Sequence, residues 1–364
     1  GETWPACGDL DGDGRDEIVL GLGTWPGSGG WLQILDDEGT GYATLGWIQL
    51  PWSAYNNVDG QVRPACGDFD GDGRDEIVVG LGRFPEAGGF LHVWDDKVAG
   101  LARLGWIRML GGLYNTANGE TRPACGDVDG DGRDEIVIGT GSYPANGGFV
   151  NILDDARSTP PHALVGWMRL GWSGYNAADG QVRPACGDVD GDGRAEIVLG
   201  TGPYPGRTTG GWIQVRDDAG PGFVPLRWIR ANFPAYNLAN GSTFPACGDV
   251  DGDHRAEVLV GFGTYQANGG WIQVMDGAET AYRHLGWAKV QWPAYNSHDG
   301  QTRPAAGNLR GDRVEEFIVG LGPYQASGGY AEVVNSQGNL AGRVCFHDDE
   351  EGRTVAKFTP DLQF

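Results

Sequence analysis

Short apolar runs recur along this chain, each closed by Gly, Pro, Asp or Asn. In residues 1–60 they are Thr-Trp-Pro-Ala-Cys-Gly (3–8), Glu-Ile-Val-Leu-Gly-Leu (17–22), Gly-Trp-Leu-Gln-Ile-Leu (30–35) and Leu-Gly-Trp-Ile-Gln-Leu-Pro-Trp (45–52). Rich in β-branched and aromatic residues and bounded by turn formers, they read as strands. Trp31, Gln33 and Leu35 alternate with Leu32 and Ile34, the period of a strand with two faces. No stretch carries a convincing helical period.

The set of four runs then repeats. Asp9, Asp68, Asp127, Asp188, Asp249 and Asn308 occupy one position, at steps of 59, 59, 61, 61 and 59 residues. A fixed period near 60 means one structural unit per repeat. Four short antiparallel strands per unit predict an all-β fold, a β-propeller of six four-stranded blades, whose ring leaves few exposed edges. The units run about 1–60, 61–119, 120–180, 181–241, 242–300 and 301–346, with 347–364 as a tail. Gly-Arg-Thr-Val-Ala-Lys-Phe (352–358) echoes Gly-Gln-Thr-Arg-Pro-Ala-Ala (300–306), so the tail is expected to add a strand near the ring closure. The alternative is a seven-bladed ring with a blade missing or completed by the tail. The first eight residues mirror 119–126, so the chain opens inside a repeat and an upstream segment is expected to have been removed.

Composition narrows the function. Glycine is abundant, at 65 of 364 residues, but 14 Trp, 12 Tyr and 12 Phe argue against disorder. The formal charge of −23 argues against nucleic acid and anionic membranes. No apolar run approaches the ~20 residues that span a bilayer, so no membrane insertion is expected. Cys7, Cys66, Cys125, Cys186 and Cys247 share one repeat position. They read as small buried apolar residues, set a whole unit apart and so poorly placed for disulfides.

Much of the negative charge lies in one repeated stretch, Asp-x-Asp-Gly-Asp-Gly-Arg-x-Glu. Its acids at positions 1, 3, 5 and 9 are Asp9, Asp11, Asp13 and Glu17; Asp68, Asp70, Asp72 and Glu76; Asp127, Asp129, Asp131 and Glu135; Asp188, Asp190, Asp192 and Glu196; and Asp249, Asp251, Asp253 and Glu257. Alternate side chains of a curled loop converge, and carboxylates that close repel unless a cation joins them. Ca²⁺ takes 6–8 oxygen ligands in flexible geometry, commonly with a backbone carbonyl at position 7, here Arg15, Arg74, Arg133, Arg194 or Arg255. The plain alternative is an Asp/Gly turn without metal, but a turn does not require the acid at position 9. Position 12 (Leu20, Val79, Ile138, Leu199, Val260) lies in the following strand, so this is no helix–loop–helix. In the fifth copy His254 stands where glycine is expected. In the sixth, Asn308 and Arg310 replace the first two acids, and the arginine head is expected to take the cation's place.

These units resemble the FG-GAP/VCBS repeat of integrin-α-type β-propellers. The metal loop matches in five units. Gly-Leu-Gly-Thr-Trp-Pro-Gly-Ser-Gly-Gly-Trp-Leu-Gln-Ile-Leu (21–35) matches the FG-GAP stretch, and the likeness runs in register over residues 2–346. Two features depart: such rings usually have seven blades, and Pro26 becomes Gln266 and Gln325 in units 5 and 6. The resemblance implies an extracellular or cell-surface module for adhesion or ligand binding, stabilised by about five structural Ca²⁺ ions. Some relatives are lectins and some are appended to enzymes.

In a four-stranded blade the metal loops share one face. The opposite face is expected to collect two aromatic sets. Trp25, Phe84, Tyr143, Tyr204, Tyr265 and Tyr324 form one. Tyr55, Tyr114, Tyr175, Tyr236 and Tyr295, each followed by Asn, form the other. Exposed rings beside amides suit sugars; the alternative is that they wedge blade against blade. The six histidines share no repeat position, and no nucleophile elbow or zinc motif is present, so the chain does not read as an enzyme. The expected partner is a glycan or an extracellular or cell-surface protein. The runner-up is a self-assembling structural subunit of a surface layer or filament, and a third reading is a non-catalytic domain of a larger enzyme.

Overall fold

The computed structural model describes residues 1–364 except 86, 159–160, 205–209, 219, 221, 325–328, 336–337, 339, 349–353 and 361–364; for strand residues beyond 341 it describes the backbone alone. Gln325 therefore lies outside the described residues.

Six antiparallel sheets are each built from strands consecutive in sequence. Blade 1 orders Thr3–Gly8, Glu17–Leu22, Trp31–Leu35 and Thr44–Gln49 side by side. Blades 2–5 repeat this order. Blade 6 has five strands: Thr302–Gly307, Glu316–Leu321, Tyr330–Val334, Leu340–Asp348 and Thr354–Pro360. The ring thus has six blades rather than seven. The tail strand pairs with the fourth strand of blade 6 and starts no further blade. The expected boundary at 346 falls inside that fourth strand.

The first strands of neighbouring blades meet at the ring centre. Second strands are buried at every residue in blades 2–6, as in Glu76–Leu81, and at all but Leu22 in blade 1, which explains why they read as continuous apolar runs without alternation. Fourth strands stand outermost in blades 1–5, and Arg103–Arg108 is largely exposed. Blades approach closely at the second-strand glycine: a Cβ on Gly80 would sit 2.5 Å from the Thr121 carbonyl oxygen of the next blade.

The innermost strands converge near the axis, where a repeated cysteine lies against the glycine that ends the neighbouring first strand. A Cβ on Gly8 would lie 2.5 Å from Cys66 Cβ, and one on Gly126 2.7 Å from Cys186 Cβ. All five thiols are nevertheless free, and burial pushes them well above the ordinary thiol range.

Further along the first strands, Arg63, Arg122, Arg183 and Arg303 share a repeat position with Trp4 and Phe244. The Arg303 guanidinium lies 3.9 Å from the Trp4 ring centre, and that of Arg183 4.1 Å from Phe244. Burial would raise the Glu120 carboxyl, but Arg122 and Arg63 beside it hold it down to about 2.

Blade 6 meets blade 1 through the contacts used inside the ring. Thr3 Oγ1 accepts from Leu321 N at 2.9 Å and donates to the Tyr330 carbonyl at 2.8 Å. Thr121 Oγ1 does the same with Leu81 and Phe90 between blades 2 and 3. A belt of backbone bonds also links the Asp-rich loops. The position-8 N–H of each donates to the position-1 carbonyl of the preceding blade: Asp75 to Asp9 (2.9 Å), Asp134 to Asp68 (3.0 Å), Ala195 to Asp127 (2.8 Å), Ala256 to Asp188 (2.8 Å), Glu315 to Asp249 (2.8 Å) and Asp16 to Asn308 (3.1 Å).

Candidate metal loops and the opposite face

Each Asp-rich loop joins the first two strands of a blade, and its first aspartate shapes it. Asp9 accepts from Gly12 N at 2.7 Å and Gly14 N at 2.9 Å. Asp68, Asp127, Asp188 and Asp249 make the same bonds. Position 6 lies in the left-handed region, at φ 88° for Gly14. His254 adopts 72° there, so the fifth loop keeps its shape under the strain a side chain brings.

Carboxylate oxygens converge where alternation predicts. Those of Asp9, Asp11 and Asp13 lie within 4.8 Å of one another, as do those of Asp127, Asp129 and Asp131, and of Asp68, Asp70 and Glu76. Burial, then neighbouring carboxylates, raise Asp70, Asp129, Asp190 and Asp251. Burial pushes Glu17, Glu76, Glu135, Glu196 and Glu257 up to about 8. One oxygen of each of these glutamates accepts the position-2 N–H, at 2.8 Å for Leu10 and Phe69. The other, Oε1, is buried with no hydrogen-bond partner. Five buried, unpaired carboxylate oxygens at one repeat position fit a cation held between positions 1, 3, 5 and 9.

Two contributors lay outside the sequence expectation. Asp36 shares a cluster with Asp11 and Glu17, and Asp96 one with Asp72 and Glu76. Both come from the turn between the third and fourth strands, which opens on Asp-Asp at 36–37, 95–96, 154–155 and 217–218. That recurring pair was the available signal. The position-7 side chains lean on the same turn: Arg15 lies 3.6 Å from Asp37, Arg74 2.7 Å from Asp96 and Arg194 3.8 Å from Asp218, while Arg133 pairs with Asp155. In blade 5, where Gly277 replaces the second aspartate, Arg255 reaches Glu279 at 3.1 Å.

The sixth loop carries a cation of its own. Arg310 bonds Glu38 of blade 1 through Nε and lies 3.6 Å from the position-9 carboxylate of Glu316.

On the opposite face the two aromatic sets separate. Trp25 is exposed, and Phe84, Tyr143, Tyr204, Tyr265 and Tyr324 are half-buried. Tyr55, Tyr114, Tyr175, Tyr236 and Tyr295 are buried, which corrects the expectation that they stand on the surface. Each lies in a six-residue helix, too short to show a period: Ser53–Val58, Gly112–Ala117, Ser173–Ala178, Pro234–Ala239 and Pro293–His298. The tyrosine hydroxyl ties its helix to the blade that follows. That of Tyr175 donates to the Gln181 carbonyl at 2.7 Å and accepts from Gly202 N at 2.5 Å. The following asparagine is turned inward too, with Asn176 Nδ2 donating to the Leu170 carbonyl at 2.8 Å. These pairs wedge blade against blade, and both partners of the expected sugar contact are spent on the fold. The half-buried set and Trp25 remain accessible.

A family model described as an FG-GAP-like repeat matches residues 5–79. The match spans the first unit and the start of the second, and the other four blades repeat the same strand order. Integrin alpha pat-2 of Caenorhabditis briggsae is 28% identical over 226 residues, a match spanning 54% of this chain and 17% of that protein. Integrin alpha-PS2 of Drosophila melanogaster is 27% identical over 219 residues, spanning 54% and 14%. The matches thus cover less than a fifth of these relatives' length. Among solved structures, the Dos1 propeller aligns with a TM-score of 0.46 at 13% identity, covering 92% of this chain and 67% of that one. Rhamnogalacturonan lyase PL11 of Bacillus licheniformis aligns with a TM-score of 0.44 at 15% identity, covering 98% and 64%.

Proposed function

We propose that this propeller is a calcium-stabilised, extracellular, non-catalytic binding module, with the ions on one face and partner recognition on the other. The observation that carries the calcium reading is the contrast between loops. In all six the position-9 glutamate keeps one buried oxygen without a hydrogen-bond partner, but only in the sixth, among the described residues, does a guanidinium pair with that carboxylate, Arg310 lying 3.6 Å from Glu316 where two acids of the cluster are gone. The ligands would be Asp9, Asp11, Asp13 and Glu17 and their equivalents, the position-7 carbonyls, and in blades 1 and 2 also Asp36 and Asp96. Bound calcium would supply the positive charge that lets these carboxylates share one loop.

Extracellular calcium sites of this kind work at about 10⁻⁴–10⁻³ M, so the module would work where calcium is millimolar. Five sites, each at ten times its dissociation constant, would add about 7 kcal/mol in all, comparable to the net stability of many domains. The integrin alpha likeness supports adhesion as the broader role, with a partner protein or glycan as ligand. Thermal melts with calcium and with a chelator test the reading, together with native mass spectrometry. A large downward shift on chelation and about five ions per chain are expected. A melt indifferent to chelator would refute structural calcium.

A further inference from the structure

On the face opposite the metal loops, the residue just before each short helix fills the junction with the next blade. It is Trp52, Trp172, Phe233 or Trp292 at four of the five junctions. Trp52 packs on Phe84 (ring centres 5.1 Å apart) and Trp106 (5.5 Å). Trp172 packs on Tyr204 (5.1 Å) and Trp228 (6.2 Å), Phe233 on Tyr265 (5.4 Å) and Trp287 (5.8 Å), and Trp292 on Tyr324 (5.1 Å). Where Phe233 stands in for Trp, a cavity of about 190 Å³ lies against Phe233, Trp271 and Trp287.

Between blades 2 and 3 the ring is absent, because Gly111 holds its position. The acceptor surface survives. A cleft of about 480 Å³ is lined by Met109, Leu113, Tyr114, Tyr143, Phe149 and Trp167. Its volume falls within the range of small-molecule sites, roughly 300–1,000 Å³. Trp167 is 64% exposed, against 39% for its equivalent Trp106, while Trp228 and Trp287 are half-buried.

The rim has changed in the opposite sense. Leu113 replaces the Ala54, Gly174, Ala235 and Ala294 of other units, and Leu110 replaces Pro51, Gly171, Asn232 and Gln291. Leu164 stands where other units have Thr44, Arg103, Pro225 and His284. Leu110 and Leu113 are 62% and 80% exposed. Unit 2 has lost its internal ring while the cleft edge has gained three leucines. An apolar patch of this kind marks an interaction site, and the four other junctions show what chemistry fits it.

We propose that the cleft between blades 2 and 3 takes an aromatic side chain presented by a partner protein, an indole or phenyl ring that completes the junction in place of the one missing at Gly111. This rests on the binding-module reading and gives that module a site and a partner chemistry. Tyr143 and Trp167 would hold the ring edge-to-face, as their equivalents hold Trp52 and Trp172, and Leu110 and Leu113 would cover its backbone attachment.

The test titrates N-acetyl-tryptophanamide against the whole chain in calcium, followed by saturation-transfer NMR and by crystals soaked with the same probe. Saturable binding is expected, with the ring seated on Tyr143 and Trp167 and not displaced by methyl glycosides. Gly111→Trp should weaken binding at least tenfold by filling the cleft from within. Should that variant misfold, Leu113→Ala, which restores the residue common in other units, should weaken binding several-fold while leaving the melt unchanged. No saturable binding, binding unaltered in either folded variant, or displacement by a sugar would overturn the proposal. A melt indifferent to chelator with the probe still bound would sink the calcium module and spare the cleft. The reverse would sink the cleft alone.

Discussion

Two units break the repeat, and they break it differently. In loop six, two acids of the cation cluster are gone, and the chain supplies Arg310, which bonds Glu38 and approaches Glu316. At the junction of blades 2 and 3, an aromatic ring is gone, and among the described residues no side chain takes its place; Trp167 is left 64% exposed. The first departure is repaired from within. The second leaves a shaped vacancy with an apolar rim. In a repeat protein, comparison between units shows which losses are compensated, and the uncompensated one is the better candidate for an outside partner.

This contrast is open to attack in order of effect. Trp172→Gly would copy the vacancy at the junction of blades 3 and 4. It should cost about 2–4 kcal/mol, below the loss of a fully buried ring because Trp172 is only partly buried, and raise the probe stoichiometry from one to two. If the cost appears without a second bound probe, the rim leucines rather than the missing ring define the site. Arg310→Ala should cost about 1–3 kcal/mol by leaving Glu316 and Glu38 without their cation, read by urea titration. The double change Asn308→Asp with Arg310→Asp should instead add one ion to the native mass spectrum. Glu196→Gln should remove one ion and about 1.4 kcal/mol at calcium ten times the dissociation constant. Gly111→Trp should stabilise least, by about 1 kcal/mol, because the gain of burying a ring is offset by turning the backbone away from φ 156°.

Most of the ring could be read from sequence. The period near 60 and four runs per unit foretold the blades, because each blade is one contiguous stretch whose strands pair in sequence order. The loop acids were legible for the same reason: tight curling brings alternate side chains together whatever the surroundings. Asp36 and Asp96 were not, because they reach the loop from a different turn of the same blade. The tyrosines misled. Tyr175 sits among Ser, Gly and Asn, which reads as surface, yet its helix tucks the ring under the next blade. The cysteines read as unbridged, and their thiols are free. Gly111 was visible as a gap in a repeating aromatic, but its meaning needed the neighbouring Trp167.

The belt of six N–H···O bonds between successive loops has a consequence best put in mechanical terms. Repeats stacked in a line unravel from their ends, since a terminal unit has one neighbour to lose. A hoop has no such unit: freeing any blade breaks two links and slackens the whole circumference. The propeller should therefore give way as one piece, with amide exchange in the six loops rising together.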